Sequence, residues 1–121
     1  RVLFRSGRPR LYATPFSQIF PLYVRKAERK GRTREEVEAI VTWLTGHAGE
    51  PFQRHLDEGT DLETFLERSP RWHPNADKVT GVVCGVRVEE ITDPLMRKIR
   101  ILDKLIDELA RGKKLESILR A

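Results

Sequence analysis

Two groups of charged residues in this 121-residue chain have the types and spacing to do chemistry. Lys26, Arg29, Lys30, Arg32 and Arg34 crowd around Gly31, between Tyr23 and the expected start of a second helix. Backbone N–H groups and the macrodipole favour anions at a helix start, so this cluster suits a phosphate ligand or a nucleic-acid backbone. The ordinary reading is a solvated face at a helix–helix turn, and no helix-turn-helix, zinc-finger or RNA-binding aromatic signature accompanies the run. The second group is Arg87 with Glu89 and Glu90. Arg87 is a lone cation in the otherwise apolar stretch 79–88, and a charge drawn inward must be paired. Its ordinary role is a lock to Glu90, or to Asp103 or Asp107 on the next helix. The functional alternative is an anchor for an anion or carboxylate in a crevice beside that helix, with Glu89 and Glu90 completing a small enzyme site.

Other reactive types are poorly placed. Cys84 sits among Val82, Val83, Gly85 and Val86 and reads as a buried small hydrophobe rather than a nucleophile, which would need a basic neighbour and solvent access. His47, His55 and His73 lack metal-ligand spacing and read as surface or loop residues. Asp103 and Asp107 share a helix face that reads as solvated, with Asp107 near Arg111 as an i, i+4 pair. We therefore expect no catalytic constellation, no metal and no cofactor.

Composition narrows the classes further. The net charge is +5, and residues 1–10 contribute four arginines and no acid, so the remainder is close to neutral. Nucleic-acid binding loses its main support once that tail is discounted. Residues 1–6 (RVLFRS) match the in-frame translation of the end of a common sequencing adapter, and we expect 1–10 to be an artefactual or disordered tail preceding one domain at 11–121. The absence of a long apolar run or a signal-like h-region, together with a single cysteine, points to the cytoplasm and away from membranes.

The elements that must position these residues read as helices. Thr14 and Pro15 start one, with Phe16, Ile19, Phe20, Tyr23 and Ala27 on one face. Pro21 either kinks it or separates a turn from a helix. Thr33 and Glu36 form a capping box for a helix to about Thr45, with Val37, Ile40, Val41 and Leu44 buried and Gly46 as the left-handed stop. A short helix follows over 50–58, closed by Gly59. Thr60 and Glu63 form a second capping box, with Leu62, Phe65 and Leu66 inward, and Ser69-Pro70 ends that element. The loop 69–77 carries Trp72, expected to lid the core. Stretch 79–88 fits either a strand, by its alternation, or a helical face capped by Asn75. With no second strand evident to pair with, we favour a buried helix, Gly81 and Gly85 allowing close helix approach. Asp93 caps a long amphipathic helix to about Arg111, stopped by Gly112, and Leu115, Ile118 and Leu119 form a last amphipathic turn.

Several blocks resemble a bacterial family known as domain of unknown function 2200 (DUF2200). They are Tyr12 with Pro15 and Phe16, PLYVRKAERKGRT at 21–33, WLTG at 43–46, GTDLETF at 59–65, Asn75, TGVVCGVRVEEI at 80–91, DPLM at 93–96 and LDKLIDELA at 102–110. The main departure is Trp72 with His73. The resemblance implies a compact multihelical domain and supports a helix at 79–88; it implies no activity.

The combined expectation is an all-α, compact multihelical array of five to six helices around the long helix Asp93 to Arg111. Its expected function is a non-enzymatic binding or protein-interaction module, taking a protein partner or a second copy of itself. The alternatives are weak nucleic-acid or phosphate binding through Lys26 to Arg34, and an enzyme with a site near Arg87. The candidate contact residues are Arg87, Glu90, Lys26, Arg29, Lys30 and Arg32.

Overall fold

A computed structural model describes residues 9–120, and the expectation for the N-terminal tail falls mostly outside them. Among the described residues six α-helices carry the fold: α1 (Phe16–Glu28), α2 (Arg34–Thr45), α3 (Gly49–Asp57), α4 (Leu62–Glu67), α5 (Pro94–Ala110) and α6 (Leu115–Ile118). Short 3-10 turns at Arg10–Ala13, Pro74–Lys78 and Val88–Glu90 link them. The first begins at Arg10, one residue before the expected domain boundary.

The array is organised on α5, which packs against α1, α2 and α6. Leu102, Leu105, Ile106 and Leu109 of its inner face share one core with Ile40, Val41 and Leu44 of α2 and the aromatic group Phe16, Phe20, Phe52 and Phe65. The Phe16 and Phe65 rings stack at 4.1 Å and join α1 to α4. Burial of such side chains contributes roughly 1.5–3 kcal/mol each.

The α2 termini follow the expectation closely. Thr33 Oγ1 accepts from Glu36 N, Glu36 Oε1 accepts from Thr33 N, and Gly46 stops the helix at φ 84°. A Cβ at Gly46 would also lie 2.8 Å from Arg71 N. α1 runs unbroken through Pro21, as a single helix rather than a turn followed by a helix. Its cap is not Thr14, whose hydroxyl donates to Arg10 O; instead Phe16 N donates to Thr60 O, in a bridge between Pro15 and Asp61. That bridge also shifts the α4 cap by one residue, so that Asp61, not Thr60, accepts from Thr64 N.

Stretch 79–88 corrects our expectation of a helix. It is an antiparallel hairpin, β1 (Val82–Val83) and β2 (Val86–Arg87), with Val82 opposite Arg87 and Val83 opposite Val86. The strand without a partner pairs with its own continuation. Cys84 and Gly85 both take positive φ, 52° and 77°, as the central residues of a two-residue hairpin turn must when its twist is to match the strands. Gly81 at φ 104° turns the chain into β1, and Val88 N donates back to Gly81 O. Three positive φ values within five residues are incompatible with a helix. Asn75 is accordingly no cap; its Nδ2 donates to Arg120 O and ties the C-terminal segment down.

Candidate functional site

The basic residues around Gly31 meet a second basic run that sequence separation conceals. Arg32 is the joint. Its Nε and Nη2 bond Glu36 at 3.2 and 2.8 Å, while Nη1 donates to Leu109 O at 3.0 Å and Lys113 O at 2.8 Å. A guanidinium is suited to this because it offers several donors in a rigid fork, and the carbonyls at a helix C-terminus lack intrahelical partners. Arg32 thereby fastens the α1–α2 turn to the end of α5, where Lys26, Arg29 and Lys30 lie beside Arg111.

Between α1 and the end of α5 lies a concavity of about 880 Å³, lined by Leu22, Lys26, Arg29, Lys30, Asp107 and Arg111 together with Ala110 and Gly112. Leu22 projects here 55% exposed, at odds with its apolar character. Asp107 is the only carboxylate in the lining; it holds Lys26 Nζ at 3.3 Å and Arg111 Nε at 2.8 Å. Burial pushes its carboxyl up, but these two cations outweigh burial and hold it below the ordinary range. Among the described residues Arg29 and Lys30 have no ion-pair partner. An adjoining hollow of about 440 Å³ adds Lys104, Glu108 and Lys113.

The surface differs from the expected anion site in one respect. The start of α2 is occupied by Glu35 and by Glu36, whose carboxyl is held below its ordinary value chiefly by Arg32 and then by Thr33 N. Positive charge gathers instead at the C-terminal ends of α1 and α5, where the macrodipole stabilises it. Arg34 is diverted too, paired with Glu38 at 2.9 Å and lying over the Phe20 ring.

The Arg87 group opens out rather than in. Arg87 is 51% exposed by its side chain and pairs with Glu89 at 3.5 Å, not with Glu90, Asp103 or Asp107. The hairpin explains this: opposite Val82 at its outer edge, the residue faces solvent. Glu89 Oε1 instead accepts from Gly81 N and closes the hairpin base. Arg87 and Glu90 share a shallow depression of about 350 Å³ with Gly85, Val86 and Ile91.

Three further expectations change. Cys84 is exposed at the turn, with Sγ 3.9 Å from Asp103 Oδ2. His47 is buried, at 2% exposure; Nε2 donates to Phe65 O at 2.7 Å, and burial holds its imidazole below the ordinary value. The polar face of α5 is not simply solvated. Asp103 accepts from Tyr23 Oη at 2.6 Å and Arg100 Nη1 at 2.9 Å, and Glu108 is 7% exposed and gripped by Arg120. Burial, then Asp103, raises the Tyr23 hydroxyl well above its usual value. Trp72 packs against the core as expected, while His73 stacks on Trp43 at 4.0 Å and accepts from Asn75 N. Among the described residues no three metal-ligating side chains converge, and no helix is long and apolar enough to cross a membrane.

Comparison with known proteins places this geometry. The family described as "Uncharacterized protein conserved in bacteria (DUF2200)" matches residues 10–120. The crystal structure of the uncharacterized protein SP1917 superposes with a TM-score of 0.85 at 37% identity, covering 98% of this chain and 94% of that one. No curated protein matches.

Proposed function

We propose that this chain, which belongs to the DUF2200 family, is a non-enzymatic protein-interaction module whose groove between α1 and the end of α5 receives an acidic segment of a partner protein. One observation carries the reading: four cations, Lys26, Arg29, Lys30 and Arg111, share a concavity of about 880 Å³ with one carboxylate, and an exposed leucine stands beside them. Charge complementarity there selects an acidic partner and speeds encounter, and Leu22 offers the apolar anchor that a pure polyanion would not use. A protein segment is favoured over nucleic acid because the groove has no aromatic face on which bases stack. The exposed, unpaired thiol of Cys84 supports a reducing compartment, the cytoplasm.

The test is fluorescence anisotropy with a labelled glutamate-rich peptide carrying spaced leucines, alongside an oligo-thymidine of matching charge. Preferential, salt-sensitive binding of the peptide, lost at least tenfold in the double variant Arg29→Glu and Lys30→Glu and weakened in Leu22→Ser, is the expected result. Tighter binding of the oligonucleotide, insensitive to Leu22→Ser, transfers the groove to nucleic acid. Binding of neither probe at low salt removes the reading.

A further inference from the structure

The opposite end of α5 carries a second concavity with a different character. Trp72 from the loop after α4, Asp77, Ile91, Thr92, and Arg97 and Lys98 of α5 enclose about 220 Å³, with Pro94 and Ile101 behind them. The wall is largely apolar, and its charged groups are two cations, Arg97 and Lys98, and one carboxylate, Asp77.

Arg97 is not satisfied where it stands. Its Nη2 reaches Asp77 only at 3.6 Å, beyond hydrogen-bond range, and the Asp77 side chain is mostly exposed. Its Nε is buried and, among the described residues, has no hydrogen-bond partner. Buried donors in native structures are nearly always paired, so an orphan calls for an acceptor. Lys98 Nζ stands 4.9 Å from the centroid of the Trp72 ring, held by the ring face rather than by a carboxylate. Both cations occupy the second turn of α5, near the positive end of its macrodipole, where an anion is stabilised and a cation is not. The first N–H groups of that end are already taken by Asp93, which accepts from Leu95 N at 3.0 Å and Met96 N at 3.5 Å. The unspent positive charge is therefore on the side chains.

We propose that this cleft binds a small carboxylate with an apolar body, its oxygens accepting from Arg97 and Lys98 and its apolar part lying on Trp72, Ile91 and Ile101. A carboxylate accepting from Nη2, in place of Asp77, gives the guanidinium the close acceptor it lacks. Lys98 adds a point charge, and the Trp72 ring presents an apolar face. The volume lies below the roughly 300–1,000 Å³ of drug-sized ligand sites, which restricts the ligand to a short acid. The site is separate from the basic groove, so either can fail without the other.

An NMR titration of the full chain tests this, using 4-methylpentanoate against its neutral isostere 4-methylpentanamide and reading the Trp72 indole N–H and the Arg97 Nε–H. Saturable shifts of both signals with the acid, at least tenfold weaker binding of the amide, and at least tenfold loss in Arg97→Gln and in Lys98→Met are expected. The Trp43 indole should stay in place and serves as an internal reference for folding. Equal response to the amide overturns the proposal, as does binding retained in Arg97→Gln. It also falls if 4-methylpentanoate, isobutyrate and benzoate all fail to give a saturable shift at tens of millimolar.

Discussion

The two ends of α5 handle charge in opposite ways. At the C-terminal end the buried Glu108 takes both Arg120 Nη atoms at 2.9 and 2.8 Å, Arg32 closes the Leu109 and Lys113 carbonyls, and Asp107 holds Lys26 and Arg111. At the N-terminal end Arg97 stands 3.6 Å from an exposed Asp77, and Lys98 rests on an indole. The first arrangement fastens chain segments together, with cations where the helix dipole welcomes them. The second keeps cations where the dipole opposes them and gives them little to hold. At the C-terminal end most of the charge fastens the fold, with Arg29 and Lys30 left over at the rim of the groove; at the N-terminal end Arg97 and Lys98 are both left over.

The largest expected effect comes from cutting the structural end. Glu108→Gln strands the Arg120 guanidinium and should cost about 3 kcal/mol, the lower end for a broken buried pair because Arg120 is partly solvated. Arg97→Met, at the other end, should change stability by no more than about 0.5 kcal/mol. Urea unfolding measures both, and equal losses would erase the distinction between the ends.

Arg32→Met comes next, at about 2 kcal/mol, from the lost charge-assisted bonds to two carbonyls and Glu36. It should also change the acid response. Glu36 is held below its ordinary 4.5, chiefly by Arg32, so below that pH the unfolded chain binds the proton first. The stability Glu36 contributes is thus complete above about pH 4.5 and declines as pH falls through the window beneath it. Arg32→Met should flatten this limb. His47 gives a separate one: burial holds it below 6.5, so stability present above that pH declines as pH falls beneath it. That limb should persist in Arg32→Met and shrink in His47→Gln, with His73, also shifted down by burial, supplying the remainder. Unfolding midpoints between pH 3 and 8 separate the two limbs.

The smallest effect concerns the hairpin lying along the middle of α5. Cys84→Asn places a residue that tolerates positive φ at 52° and should stabilise by about 0.5 kcal/mol, leaving the response of both ends unchanged. A loss of stability instead would mean that the contact with Asp103 outweighs the turn strain.

The sequence reveals elements more readily than sites. The α2 capping box and Gly46 stop, the Asp93 cap and the apolar stripe of α5 are all legible, because each depends on residues within a few positions of one another. The hairpin is legible only in part: Cys84-Gly85 between valines is a turn signal, yet cysteine is an unusual first residue for such a turn, and the helical reading competes on the same valines. Of the candidate site, Lys26, Arg29 and Lys30 are visible as a cluster. Their union with Arg111 and Lys113 is not, because it depends on Arg32 reaching carbonyls 77 and 81 residues further on. Nothing local marks His47 as buried, since its burial follows from the close approach of α3 and α4 around Phe65.

By itself, then, the sequence determined the helical class, the limits of α2 and α5, and the faces they bury, because caps, stops and apolar periodicity act over one or two turns of chain. Only the tertiary structure decided which charges are used and which are left over. A cation is spent or available according to what the fold brings within about 4 Å of it, and for Arg32, Lys26 and Arg97 those partners lie far along the chain.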